Sequence, residues 1–518
     1  MSGASAAKLA AAASLVAALL LTGRQLRQRS APPVPSADYV DSRACAGCHQ
    51  QIYKSYQQTG MGRSFYVPRP GKMVEDFERR NTFHHKASGE YYQMYLKEGR
   101  YFQRRHQVGF DGRETNVLER EIHYVIGSGN HVRTYLHRTA SGKIVELPVA
   151  WYADRGGFWS MNPGYDQIHH QGFRRRITHH CMFCHNAYPE VRPGRDASGS
   201  DPVFDGKVPE GIDCQRCHGP GREHLQAAQA PGAKPESVRR AILNPARLNV
   251  ERQTELCMQC HLESTSFRLP HSIRRFERPA FSYRPGEPLG DYILNFDHPP
   301  GMGHDDKFEI AHQAYRLRKS ACFQATQGSA KALTCTTCHN PHDIPRGEAA
   351  TRHYMAVCKS CHGNLGRHAA SADCLGCHMP KRRTDDVVHV VMTDHYIQRR
   401  KPNRDLLAPL PERHDTPDKA YVGRVALYYP PKISSRKDQE LYVAVAQIKQ
   451  GANMKDGIPL LEKAIRDHQP TQGEFYFELA EAYKSGGQTE KAVPMYRQAL
   501  ARKPDFWPAL YNLGSILS

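Results

Sequence analysis

The pattern of apolar and polar positions changes character several times along this chain. From Ala6 to Leu21 it is an Ala/Leu-rich apolar run interrupted only by Lys8, short for a membrane span but matched to the apolar region of a signal. Residues 1–30 therefore read as a signal peptide or an N-terminal anchor, although Arg24, Arg27 and Arg29 follow the run against the positive-inside tendency. A Pro/Ser stretch, Ala31 to Ala37, comes next. Between about 65 and 160 lie short runs rich in aromatic and β-branched residues, such as Tyr91-Tyr92-Gln93-Met94-Tyr95-Leu96 and Ile144-Val145-Glu146-Leu147. Ser88-Gly89, Glu98-Gly99, Asp111-Gly112 and Ser141-Gly142 punctuate them, which predicts a small antiparallel β insert.

From Thr178 to about Gln398 strong periodicity of either kind is scarce, and a Pro- and charge-rich stretch over 401–436 reads as a linker. The tail, 437–518, is periodic again. Tyr476, Leu479, Ala480, Tyr483, Gly487, Ala492, Tyr496, Ala499 and Pro504 follow the large/small spacing of a tetratricopeptide repeat. An upstream copy has Leu441, Ala444, Ile448, Gly457, Leu461, Ala464 and Pro470, and a third begins at Trp507, Leu510, Leu513 and Gly514. The overall expectation is a mainly α chain: a domain over 38–400 carrying the β insert, then helical repeats.

With 39% hydrophobic residues, 40 Gly and 35 Pro in 518 positions, an aliphatic core looks thin for the length, so something besides side chains must fill the interior. The cysteines say what. Fourteen of the fifteen fall into seven copies of C-x-x-C-H: Cys45/Cys48/His49, Cys181/Cys184/His185, Cys214/Cys217/His218, Cys257/Cys260/His261, Cys335/Cys338/His339, Cys358/Cys361/His362 and Cys374/Cys377/His378. Two thiols at this spacing add across the vinyl groups of one haem while the adjacent histidine coordinates its iron from the proximal side. Structural zinc would need C-x-x-C units partitioned into sets of four ligands, and seven units each followed by His do not divide that way. The expected cofactor is thus haem c, seven groups. Cys322 stands alone and reads as a buried thiol.

Haem also changes the meaning of the formal charge of +19. Seven haems bring roughly fourteen propionates, so much of the Arg/Lys excess serves as their counter-ions. No stacking platform or reading helix accompanies the charge, which argues against nucleic acid as a partner.

Seven proximal histidines leave twenty-two of the twenty-nine. Some of these are expected on the distal side of the irons, where bis-histidine coordination gives low-spin centres suited to electron transfer. His224 and His342, on tight turns just after a motif, lead the candidates. His312, His368, His389 and His395 flank the last cluster of motifs, and His131 and His180 complete the set. His84, His85, His414 and His468 read as solvated or propionate-bonding, and Met379 as packing.

Four segments carry a family resemblance: Tyr39-Val-Asp-Ser-Arg-Ala-Cys-Ala-Gly-Cys-His, Gly211-Ile-Asp-Cys-Gln-Arg-Cys-His-Gly-Pro-Gly, Cys335-Thr-Thr-Cys-His-Asn-Pro-His and Cys374-Leu-Gly-Cys-His-Met-Pro. The chain resembles bacterial multihaem cytochromes of the cytochrome c-554/c-552 type, many of which end in tetratricopeptide repeats. The resemblance implies a mostly helical haem domain, closely packed haem pairs and a relationship to hydroxylamine oxidoreductase and pentahaem nitrite reductase. All seven motifs end in His, so the Cys-x-x-Cys-Lys common in nitrite reductase is missing.

The function expected from these readings is electron transfer, with the repeat module docking redox partner proteins. The alternative is an oxidoreductase acting on a small nitrogen or sulfur oxo-species at one open haem. Covalent haem attachment places either protein outside the cytoplasm, in the periplasm or anchored to the cytoplasmic membrane.

Overall fold

The computed structural model describes residues 38–192, 194–265, 269–363, 373–412, 421, 423–451 and 453–518. The N-terminal segment 1–30, His368 and His414 lie outside the described residues. Among the described residues no helix is long and apolar enough to cross a membrane.

Ten strands separate the first two C-x-x-C-H motifs: β1 (Phe65–Tyr66), β2 (Thr82–His85), β3 (Glu90–Lys97), β4 (Arg100–Val108), β5 (Glu114–Glu121), β6 (Tyr124–Ile126), β7 (Val132–Arg138), β8 (Ile144–Glu146), β9 (Val149–Tyr152) and β10 (Phe158–Met161). They form two antiparallel sheets, β2-β3-β4-β5 and β1-β6-β7-β9-β10 with β8 on β7. Period-two patterning builds them. Along β3, Tyr92 and Met94 are buried while Tyr91, Gln93 and Tyr95 are only half-buried. The β3–β4 hairpin reverses at Glu98-Gly99, both at positive φ (52° and 75°), a turn whose twist matches that of the flanking strands. Tyr66, Phe77, Tyr92, Met94, Tyr135 and Trp159 fill the core of this unit. A buried ion pair crosses it: Arg133 Nη1 donates to Glu75 Oε2 at 2.8 Å, and the Tyr135 hydroxyl donates to the same carboxylate.

Five further strands are β11 (Ser272–Arg274), β12 (Ile293–Asp297), β13 (Lys381–Arg383), β14 (Val391–Thr393) and β15 (Ala426–Tyr429). They make a three-stranded sheet, β11-β12-β15, and a β13-β14 hairpin. This corrects the mainly α expectation: of the described residues 36% are helical and 16% lie in strands spread over several sheets. The extra strands have three to five residues each, too short for alternation to register, and β12 is buried at every position. β15 also falls inside the 401–436 stretch that reads as a linker.

The tail holds five helices, Arg436–Ile448, Met454–His468, Gly473–Ser485, Thr489–Arg502 and Trp507–Leu517. No repeat solenoid is evident, which corrects the second half of the fold expectation. Leu441, Tyr442, Phe475 and Tyr476 share one core with Leu269, Ile273, Leu294, Phe296 and Val425 of the preceding domain. Phe276 meets Tyr442 in a tilted ring contact and Phe475 edge-on, its N–H donates to the Tyr442 hydroxyl at 2.8 Å, and Arg275 pairs with Asp438 at 3.2 Å. Large/small spacing thus produced close helix pairs, but their apolar faces close onto a sheet.

Candidate haem-binding site

Each C-x-x-C-H motif lies on helical backbone, in a short turn or at the end of a longer helix. Helical spacing brings the two cysteines, three apart, to one side, and the histidine follows within the same turn. The main-chain bonds show this directly: His49 N–H donates to Cys45 O, His218 to Cys214, His339 to Cys335 (2.9 Å each) and His362 to Cys358 (3.0 Å). Polar side chains start several of these turns. Asp41 accepts from Arg43 N–H, Thr178 from Cys181, Asn249 from Arg252, and Asp373 from Leu375 and Gly376. All fifteen cysteines are unbridged. Cys45 lies beside Cys214, Cys184 beside Cys260, and Cys257 beside Cys335, so motifs distant in sequence meet in space.

Cys48, Cys361 and Cys377 are exposed, whereas the other motif cysteines are partly buried. The cause is local. Cys48 caps the turn Ser42–Gly47, Cys361 ends the helix Gly347–Cys361 and Cys377 lies in the turn Cys374–His378, and none of these three elements buries a residue. Each is the second thiol of its motif, and the first thiol of the same motif is partly buried.

Several proximal histidines are anchored through Nδ1. The His218 ring bonds Leu243 O (2.9 Å), His261 bonds Gln313 Oε1 (3.0 Å), His339 bonds the Tyr354 hydroxyl (3.0 Å) and His378 bonds Gln398 O (2.6 Å). Such contacts fix tautomer and ring orientation and leave Nε2 for a metal. Burial pushes the His185 and His395 pKa values down to about 4, with His339 adding to the effect at His395. Both rings therefore stay neutral near pH 7, the form that ligates iron.

Three distal candidates lie opposite a proximal histidine. The rings of His224 and His49 are nearly parallel, with centres 6.4 Å apart and planes inclined by 13°; those of His342 and His218 lie at 6.0 Å and 17°. His395 and His339 lie at 6.1 Å and 35°. Two imidazoles bound through nitrogen to one metal at about 2 Å each hold their ring centres roughly 6 Å apart. The spacing is too wide for ring-on-ring contact and suits an iron between them, so the residues fit the group that the motifs imply. His224 Nδ1 is itself bonded to Val238 O at 2.9 Å, and His395 Nδ1 to Thr393 O at 3.2 Å. Beside His218 a cavity of about 560 Å³ is lined by Arg222, Arg239, Arg240, Arg247 and Arg284 against Asp38 and Glu223, a net positive lining suited to propionates.

The other candidates have different neighbours. His180 Nε2 lies 2.7 Å from His271 Nε2, a partner that the sequence did not single out. His312 is fully buried beside Tyr315, with Nε2 3.3 Å from Glu309 Oε2. His389 Nε2 meets Ser160 Oγ at 3.2 Å between the Tyr152 and Phe158 rings, and His131 is exposed, near Lys381. Of the histidines read as solvated, His84 stacks on Tyr91, His85 bonds Ser88 and Asp166, and His468 pairs with Glu440 at 2.7 Å. Cys322, expected buried, is only partly so. The anchors Gln313, Tyr354 and Gln398 carry no motif of their own, so only the fold reveals them.

Residues 328–367 match the family model for the doubled CXXCH motif. No curated protein matches the chain. The doubled motif indicates covalent attachment of haem c, as in multihaem c-type cytochromes.

Proposed function

We propose that this protein holds seven haem c groups through its seven C-x-x-C-H motifs and passes electrons among them, exchanging them with partner proteins outside the cytoplasm. The observation that carries this reading is the set of three facing histidine pairs, His49/His224, His218/His342 and His339/His395, with ring centres 6.0–6.4 Å apart. A haem iron, when bound, supplies a one-electron couple. The two imidazoles of each pair would hold that iron between them and leave no place for exogenous ligands, which favours electron transfer over bond-making chemistry. Nδ1 contacts to Leu243, Val238 and Thr393 carbonyls orient the rings and strengthen them as donors. The exposed thiols Cys48, Cys361 and Cys377 belong to the same assignment, since thioether formation depends on the spacing of the two cysteines and not on their burial in protein.

Partner docking belongs to the same proposal. The helix Trp507–Leu517 leaves Trp507, Tyr511 and Leu517 more than half exposed, at 61%, 77% and 62%. Aromatic side chains on a surface of this kind are frequent anchors in protein interfaces. The oxidised holoprotein tests the electron-transfer reading by electron paramagnetic resonance. Low-spin ferric signals alone are expected; a high-spin component that shifts when nitrite, hydroxylamine or cyanide is added would replace the reading with an oxidoreductase working at an open iron.

A further inference from the structure

Three of the C-x-x-C-H turns meet at one side chain. Arg216 is the residue before the second cysteine of Cys214/Cys217/His218, and Phe183 and Gln259 hold the same place in Cys181/Cys184/His185 and Cys257/Cys260/His261. Arg216 Nη2 donates to Phe183 O at 2.8 Å and to Gln259 Oε1 at 3.1 Å, and Gln259 Nε2 donates back to Arg216 O at 3.2 Å. The guanidinium lies over the Phe183 ring, 4.1 Å from its centre, with the Tyr188 ring at 5.2 Å. Cys260 Sγ is 4.0 Å from the same Phe183 oxygen. Cys184, Cys217 and Cys260, the second thiols of the three motifs, all lie within reach of the guanidinium charge.

Arg216 differs from the other deeply buried arginines in its partners. Arg133 pairs with Glu75 at 2.8 Å and Arg316 with Asp394 at 2.6 Å. Among the described residues Arg216 forms no ion pair, and its Nε and Nη1, both buried, make no hydrogen bond. Asp213 is within electrostatic reach, but its two oxygens accept from Gln215 N–H and Gln215 Nε2, at 3.0 Å each. An arginine stays protonated however deeply it is buried, and aromatic faces return only part of the solvation it has lost. The protein therefore keeps a permanent positive charge where three C-x-x-C-H turns converge.

On the reading that these motifs carry haem, we infer that Arg216 tunes reduction potentials, favouring the ferrous state of the haems attached at Cys181/Cys184, Cys214/Cys217 and Cys257/Cys260. A ferric porphyrin core with two neutral imidazoles carries roughly one net positive charge, which one-electron reduction removes. A cation fixed nearby in a medium of low dielectric disfavours the ferric form and raises the potential. A propionate accepting from Nε and Nη1 belongs to the same arrangement, and the sign is unchanged: taking the guanidinium away makes the surroundings of the iron more negative.

The full-length holoprotein is titrated with redox mediators in an optical electrode cell, and haem reduction is followed at the α-band. In Arg216→Gln the part of the curve belonging to these haems should move to more negative potential. Their reduced-to-oxidised ratio at a fixed potential should fall roughly tenfold, which is about 59 mV for a one-electron couple. The rest of the curve should stay in place. Gln259→Glu keeps an acceptor for Arg216 Nη2 while neutralising its charge, and should shift the same part in the same direction; a merely structural role for Arg216 predicts no shift there. Both variants are compared at wild-type haem content, measured by intact mass, and with wild-type circular dichroism. If Arg216→Gln does not reach that content, Gln259→Glu decides alone. Curves that superimpose on the wild-type curve would overturn the inference and leave haem attachment standing, whereas wild-type protein without covalent haem would remove the reading beneath it.

Discussion

At the scale of single residues, the separation between paired imidazoles is what singles out the proposed distal ligands. His224, His342 and His395 stand 6.0–6.4 Å from a motif histidine, whereas His389 packs against Tyr152, Phe158 and Ser160. Replacing His224 by Ala should convert one haem from low to high spin, read as a new high-spin ferric signal amounting to one centre. His342→Ala and His395→Ala should do the same, while His389→Ala should leave the spin states as they were. A second residue-scale expectation concerns Glu90, between His170 (2.9 Å) and Arg105 (3.0 Å). Burial works against its charge, yet hydrogen bonds from His170 and Tyr92 and the Arg105 guanidinium hold its pKa down to about 2, below an ordinary value of 4.5. A carboxyl depressed on folding contributes stability that is fully present above its unfolded pKa and is lost as pH falls through the folded one. The difference in melting temperature between wild type and Glu90→Gln should therefore be largest above pH 5 and shrink as pH is lowered toward 2. A difference that stays constant over this range would remove Glu90 from the account.

Among secondary-structure elements, the β insert shows which features are legible in a sequence. Alternation in Tyr91–Leu96 and the glycine turns at 89, 99, 112 and 142 mark its hairpins, and all four glycines have positive φ. The Glu75–Arg133 pair beneath those strands carried no local signal, because its members lie 58 residues apart. Removing one partner of a buried ion pair leaves an uncompensated charge, so Arg133→Ala should destabilise the insert by about 3–5 kcal/mol. Hydrogen exchange of the amides in β6 and β7 measures it, and protection equal to that of wild type would contradict it. The C-x-x-C-H turns were legible for the opposite reason: thiols and ligand lie within one helical turn, so spacing alone states the chemistry. Spacing says nothing of depth, however, and the exposure of Cys48, Cys361 and Cys377 follows from what packs on their turns. Distal partners are tertiary. His49 and His224 are 175 positions apart, and only folding brings His271 to His180. The short strands β11, β12 and β15 were invisible because three to five residues, some buried on both faces, give no period to detect.

Over the whole molecule, the tail and the preceding domain are one packing unit. Tyr442 and Phe475 close on Phe276, and the helices share a core with β11 and β12. The sequence read this tail as a separate repeat array because large/small spacing reports that helices pair, not what their outer faces meet. Tyr442→Ala should cost about 3–5 kcal/mol, as for other large aromatic truncations in a core, and should lower the unfolding midpoint of both regions together. Two separate transitions, with only the tail affected, would mean that the units fold independently. If the helix Trp507–Leu517 docks the redox partner, Trp507→Ala combined with Tyr511→Ala should slow partner reduction without altering the haem spectrum; unchanged rates would place docking elsewhere. Everything about conduction rests on covalent haem at each motif, and the intact mass of the denatured, purified protein measures this most directly. Seven haem additions on one polypeptide are predicted, and a mass showing fewer additions, or the bare chain, would contradict the account.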